Sequence, residues 1–278
     1  MQDFNDKARP PPRSDYQKEL VKLFNSLSGR HSHWQVFADF CELAAIIFSN
    51  AVDLAEREGR EERYLNIVKG YTREELDSFA QGLAHLTMAM ETRIGDVLAR
   101  TFHDLELHNK WAGQFFMPYD VSRMMAKMTI GDSDDLRARI AVRGFITAQE
   151  PAVGSGAMVI ALAQEMHAAG INYQQHLHVT AIDIDPKCVH MAYVQFSLLH
   201  IPAIIIHGDT LSLKEYGHWY TPAHIMGGWN WKLRQREAIE GAHEIIAAPP
   251  LPPLSAPRPV ADTPTEMPSI PPAQLTLF

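Results

Sequence analysis

Phe145-Ile-Thr-Ala-Gln-Glu-Pro-Ala-Val-Gly-Ser-Gly-Ala-Met-Val-Ile-Ala-Leu-Ala-Gln-Glu-Met166 reads as a strand-like run, a turn carrying glycines at 154 and 156, and a helical run. Two such glycines let the backbone bend sharply and lie against a ligand where a Cβ would obstruct, while the helix behind them aims free N–H groups the same way. An ordinary loop before a helix uses the same letters, so the sequel decides. His178-Val-Thr-Ala-Ile-Asp-Ile-Asp185 reads as a second buried strand ending in acids. Its spacing from the glycines is near that at which nucleotide-binding folds set a carboxylate on a ribose hydroxyl pair, and Asp183 is the candidate. Ala203-Ile-Ile-Ile-His-Gly-Asp209 repeats the pattern, again with an acid at its carboxyl end. Three strands with helical intervals predict a parallel α/β sheet whose ligand crevice lies at those ends.

Three segments then occur in one order: Gly113-Gln-Phe-Phe-Met-Pro-Tyr-Asp-Val121, Glu150-Pro-Ala-Val-Gly-Ser-Gly156 and Gly208-Asp-Thr-Leu211. Together they resemble the adenine-N6 DNA methyltransferases, especially the modification subunits of type I restriction systems. The resemblance implies a Rossmann-like class I methyltransferase core, S-adenosylmethionine as cofactor and DNA as partner. It implies that Gln114, Phe115, Phe116 and Pro118 wrap the methionine end of the cofactor. Glu150, Pro151, Gly154, Ser155 and Gly156, with Asp183, would hold its nucleoside, and Asp209 would lie beside the adenine. Two departures are mild: Glu150 stands where the family uses Asp, and Met117 replaces a Thr hydroxyl.

A third departure touches the chemistry. The family's Asn/Asp-Pro-Pro-aromatic segment accepts hydrogen bonds from the adenine amino group and stacks on a base flipped out of the duplex. No intact copy is present. Glu244-Ile-Ile-Ala-Ala-Pro-Pro-Leu251 imitates it around Pro249 and Pro250, with Ala248 for the polar residue and Leu251 for the aromatic. Ala has no side-chain acceptor. A degenerate motif and a coincidence at the start of a Pro-rich tail both account for it. Trp229-Asn-Trp231 offers one amide, Asn230, between two stacking surfaces; the plainer reading is a pair of tryptophans packing a loop onto the core.

The first hundred or so residues read as helical. Trp34, Phe37, Cys41, Ala44, Ile47 and Phe48 recur at helical spacing, as do Leu76, Phe79, Leu83, Leu86 and Met90, and Thr72 with Glu75 forms a capping-box pattern before the latter. The mixed-charge stretch 56–63 reads as a solvated helix end with a turn near Gly59. The helix from Asp120 carries Val121, Met124, Met125 and Met128 on one stripe, expected to pack on the sheet. The expected organisation is a helical domain over 1–110, a methyltransferase-like domain over 111–248 and a disordered tail over 249–278. Roughly 40 residues separate the third strand from the tail, which predicts an incomplete sheet whose edge is covered by a helix, a second copy or another subunit.

The chain has 278 residues, 46% of them hydrophobic, enough for one or two cores. Two cysteines without metal-like spacing, Cys41 and Cys188, suggest a reducing compartment. No apolar run approaches a membrane span and the amino terminus lacks a signal pattern, so a cytoplasmic protein is expected. His31-Ser-His33 and His176-Leu-His178 lack Cys or carboxylate partners at ligand spacing, and no metal site is expected. A net charge of −8 is awkward for unaided DNA binding, where Lys and Arg neutralise phosphates. Arg137, Arg139, Arg143, Lys232, Arg234 and Arg236 form either a local basic patch or ordinary solvated faces.

Ten of the 18 prolines fall between 249 and 272, with few charges and no periodic apolar face, as in an extended linker. Gln274-Leu-Thr-Leu-Phe278 follows. It resembles the peptide by which bacterial polymerases and repair proteins dock on the replication sliding clamp: Leu275, Leu277 and Phe278 would fill a hydrophobic pocket and Gln274 would add a positioning hydrogen bond. A tether of roughly 25 residues reaches about 75 Å, and tethering to a ring on DNA raises effective concentration, offsetting the acidic charge. Two functions are therefore expected from the sequence: methyl transfer to adenine N6 in DNA, or a catalytically inactive module of the same fold recruited to replicating DNA.

Overall fold

A computed structural model describes residues 15–27, 29–105 and 116–247, the last eight of these as backbone. The chain opens with helices α1 (Asp15–Leu27), α2 (His33–Asn50), α3 (Arg57–Val68), α4 (Arg73–Thr92) and α5 (Val97–Asp104), followed by α6 (Tyr119–Ile130) and α7 (Ser133–Arg143). Then come β1 (Ile146–Glu150), α8 (Ala157–Ala168), the short α9 (Tyr173–His176), β2 (Leu177–Asp183), α10 (Pro186–Leu198), β3 (Ala203–Asp209), β4 (Lys214–Tyr220), α11 (Pro222–Met226) and α12 (Trp229–Ala247). The residues through Arg234 form one compact unit and those from Gln235 a second.

The sheet order is β1-β2-β3-β4, with β1, β2 and β3 parallel and β4 antiparallel to β3. The wholly parallel sheet expected from the sequence is thus a mixed one, closed by a hairpin over residues 210–213 in which Leu213 takes φ +56°. β2 is buried along most of its length, because Leu177, Val179 and Ala181 point into the hydrophobic core. β1 has a single strand neighbour among the described residues, and Thr147 and Gln149 are exposed.

In the amino-terminal helices Phe24, Phe37, Phe40, Phe79 and Phe102 interlock, mostly edge-to-face, with centroids 5.0–6.0 Å apart. The capping box forms as expected: Thr72 Oγ1 accepts from Glu75 N–H at 3.3 Å and Glu75 accepts from Thr72 N–H at 2.7 Å. Gly59 is not a turn. It lies inside α3, at about 1 kcal/mol relative to alanine, because ion pairs on the same helix fasten it: Arg60 to Asp53 at 2.7 Å and Arg63 to Glu42 at 2.6 Å. The Met stripe of α6 is also corrected. Tyr119, Ser122, Ala126 and Ile130 are its buried residues, with Tyr119 bonded to Gln164 and Arg123 paired to Glu165 on α8, while Val121, Met124, Met125 and Met128 stand 40–75% exposed. Ser122 and Ala126 are small, so they let the two helices approach closely.

Candidate cofactor site

The backbone leaves β1 at Glu150 and folds back on the neighbouring strand, with Val153 N–H donating to Ile182 O at 2.8 Å. Gly154 at φ +54° and Gly156 at φ +97° then turn the chain into α8, whose first turn closes through Ile160 N–H to Gly156 O at 2.9 Å. Gly156 also has no room for a side chain: an added Cβ would lie 2.5 Å from the Phe196 ring. Gly154 faces Phe116, whose ring such a Cβ would meet at 3.4 Å.

Asp183, at the tip of β2, joins this turn. Its Oδ2 accepts the Gly154 N–H at 2.8 Å and its Oδ1 accepts the Asp185 N–H at 2.9 Å. Burial pushes the Asp183 carboxyl above its ordinary value, against the pull of those N–H donors. Burial raises Glu150 in the same way, and the Asp183 charge adds to the rise, while the Ala152 N–H donates to its Oε1 at 3.3 Å. The third tip is tied in by Thr210, whose hydroxyl donates to Pro151 O at 2.6 Å. Asp209 is engaged in its own turn, accepting from Leu211 N–H at 2.9 Å and from the Ser212 hydroxyl at 2.7 Å, which holds its carboxyl below its ordinary value.

Glu150, Pro151, Gly154, Asp183 and Asp209 are therefore brought together. Phe116 stands beside them, packed edge-on against Phe102 at 5.1 Å, and Pro118 precedes the first turn of α6. Gln114 and Phe115 lie outside the described residues, as do Pro249, Pro250 and the terminal pentapeptide. Ser155 turns inward. It is 1% exposed, and its hydroxyl donates to Asp96, which caps α5 by accepting the Ala99 N–H at 3.0 Å. Gln195 completes this buried network, donating to Asp96 at 2.9 Å and to Ser155 O at 2.7 Å while accepting from the N–H groups of Val97 and Leu98. Asp96 and Gln195 escaped the sequence reading. Asp96 stands at a cap position before a short apolar run, which is a usable signal; a glutamine inside α10 offers none.

Asn230 is not brought to this site. Its Oδ1 accepts from His224 Nε2 at 3.0 Å, and His224 Nδ1 meets His178 Nε2 at 2.9 Å. His178 is the second residue of β2, so this chain of side chains sits at the opposite end of the strand from Asp183, about 16 Å away along the backbone. Trp229 packs into the core there, edge-on to Phe145, whereas Trp231 is exposed. The basic candidates are similarly local: Arg137 pairs with Asp134, and Lys232 lies over the Trp229 ring. Among the described residues no His, Cys, Asp and Glu group could hold a metal ion, and no helix is long and apolar enough to cross a membrane.

The donors and acceptors at the strand tips fit a nucleoside. A carboxylate accepts about four hydrogen bonds, and Asp183 keeps lone pairs for a ribose hydroxyl pair beyond those its backbone bonds use. Ile184, next to it, is exposed and apolar, a surface for a planar ring.

Comparison with known proteins bears on the same region. No curated protein matches the chain. A crystal structure described as a class I S-adenosylmethionine-dependent methyltransferase from Listeria monocytogenes is similar at a TM-score of 0.41 and 11% identity, over 71% of this chain and 54% of that one. The chain thus spans about half of that structure's length. The model of the N-6 DNA methylase family matches residues 93–250, more than half of the chain, and takes in α5, the glycine turn and all three acidic strand tips. That family's cofactor is S-adenosylmethionine. With the match covering the whole cradle and more than half of the sequence, the chain belongs to the N-6 DNA methylase family.

Proposed function

We propose that this methyltransferase-family chain transfers a methyl group from S-adenosylmethionine to N6 of adenine in DNA. The observation that carries the reading is the hydrogen bond from Gly154 N–H to Asp183, which makes the glycine turn and the acid of β2 one hydrogen-bonded unit. When bound, the cofactor supplies a methyl group activated on a sulfonium sulfur. Asp183 accepts the ribose hydroxyls, and Glu150, held against the same turn, provides the second carboxyl of the cradle. Gly154 and Gly156 admit the ligand close to the backbone. Ser155 acts through Asp96, fixing the turn from behind. The family resemblance assigns Gln114, Phe115, Phe116 and Pro118 to the methionine end, and Asp209 shapes the loop at the adenine end through the turn its carboxylate caps.

A second reading is a methyltransferase-like module that binds cofactor without transferring methyl. It is favoured by the engagement of Asn230 with His224, far from the cradle, and by Ala248 in the place of a polar acceptor. Against it, the family match runs to residue 250 and so includes both Pro249 and Pro250, which supports reading them as an altered catalytic segment. The proposal assigns residues 1–110 to a helical domain, 111–248 to the methyltransferase domain and 249–278 to a tether. It includes docking of Gln274, Leu275, Leu277 and Phe278 on the sliding clamp, and a second copy or another subunit completing the sheet.

Labelled methyl transfer to DNA of mixed sequence, run beside calorimetry with S-adenosylmethionine, separates the readings. Transfer supports the enzyme, binding without transfer supports the module, and neither binding nor transfer overturns both.

A further inference from the structure

A cavity of about 490 Å³ opens between α2, α3, α10 and β4, and it shares no lining residue with the Asp183 cradle. Its inner wall holds His190, only 8% exposed. The ring is edge-on to Trp219 with centroids 5.0 Å apart, but its nitrogens make no hydrogen bond among the described residues. The ring lines the cavity, which puts it within reach of what the cavity holds. Burial pushes His190 down to about 4, so at neutral pH it is an uncharged ring with one N–H donor and one acceptor nitrogen.

The surroundings narrow the ligand. Glu42 lines the same cavity, and its carboxylate keeps acceptor capacity beyond the two bonds from Arg63. Glu56 adds a second carboxylate to the lining. Arg60 is already committed: it donates to Asp53, Ser49 and the His218 carbonyl and lies over the Trp219 ring at 4.1 Å. Acidic side chains and a neutralised arginine disfavour a phosphate. The exposed Tyr216 supplies a flat apolar wall, while the Trp219 ring is already packed against Arg60 and His190.

We propose that this cavity is a nucleobase site, separate from the cofactor cradle, that takes a base presenting a ring nitrogen beside an exocyclic amino group, as adenine and cytosine do. The His190 N–H donates to the ring nitrogen, Glu42 accepts from the amino group, and Tyr216 stacks on the ring. Uracil offers a carbonyl where the carboxylate needs a donor, and is rejected.

Calorimetry on the full chain tests this with cytidine, which lacks the adenine ring that the Asp183 cradle would take. Cytidine binds, and uridine binds at least about tenfold more weakly. His190→Phe weakens cytidine at least about tenfold and leaves S-adenosylmethionine affinity unchanged; should that variant fail to fold, Tyr216→Ala at the exposed wall carries the test with a loss of at least about threefold. A single-stranded oligodeoxycytidine that displaces cytidine identifies the source as a nucleic-acid strand, and one that does not identifies a free nucleoside. No cytidine binding, equal binding of uridine, or undiminished binding to the folded variants overturns the proposal.

Discussion

Replacing Gly156 by alanine puts two costs on one atom. At φ +97° the residue lies in the left-handed region, where an L side chain costs about 1–2 kcal/mol. The new Cβ would also stand 2.5 Å from Cε1 and 3.0 Å from Cζ of Phe196, a fully buried ring in α10 that has no solvent to move into. Overpacking of this kind costs about 1–3 kcal/mol. The sum, about 2–5 kcal/mol, is a large part of the roughly 5–15 kcal/mol that holds a domain folded. In urea, with a slope of about 1–3 kcal/mol/M, the unfolding midpoint should fall by at least about 0.7 M at unchanged slope. Phe196→Leu in the same chain should return at least about 1 kcal/mol of the loss beyond additivity. A midpoint for Gly156→Ala within about 0.3 M of the parent would mean that the turn does not hold glycine for these reasons.

Ser155→Ala removes a donor from the buried Asp96 carboxylate, a bond worth about 1.5–3 kcal/mol, and should lower the melting temperature by roughly 3–10 °C; an unchanged melt would place the hydroxyl elsewhere. The His178–His224 pair sets a pH dependence. Burial lowers both rings, His178 to about 3, so the folded protein keeps them neutral while the unfolded chain takes up protons below about 6.5. Their contribution is fully present above pH 6.5 and is lost as pH falls below it, for His178 by up to about 1.4 kcal/mol per pH unit down to about 3. Urea midpoints from pH 7 to 4 should fall less steeply in His178→Gln than in the parent, and parallel profiles would contradict the assignment. Leu277→Ala with Phe278→Ala should abolish capture of the chain by the sliding clamp, and undiminished capture would remove the terminal peptide from the account.

Much of the cradle was legible because its determinants are local. Glycines at 154 and 156, and acids closing β2 and β3, are set by neighbours in the chain, and β3 follows its apolar run from Ala203 to Asp209. β4 was not legible: Lys-Glu-Tyr-Gly-His-Trp-Tyr has no alternation, and its strand state depends on pairing with β3, Trp219 opposite Ile205 and His218 opposite Ile206. In α6 two sets of residues, 119/122/126/130 and 121/124/125/128, both recur at helical spacing. Periodicity identifies the helix, but only contact with α8 decides that the smaller set is buried. Arg60 shows the same limit, since a charge run reads as solvated until Asp53 and the His218 carbonyl are brought to one guanidinium. The buried Asp96–Gln195 bond joins residues 99 positions apart, a separation no local pattern reports.

If the tips of β1, β2 and β3 hold S-adenosylmethionine through Asp183, calorimetric titration of the cofactor into the parent chain and into Asp183→Ala gives different isotherms. Saturable one-to-one binding to the parent is expected, with at least about tenfold weaker binding to the variant, equivalent to about 1.4 kcal/mol or more. Equal affinity in the two chains, or no binding to a folded parent, would contradict it.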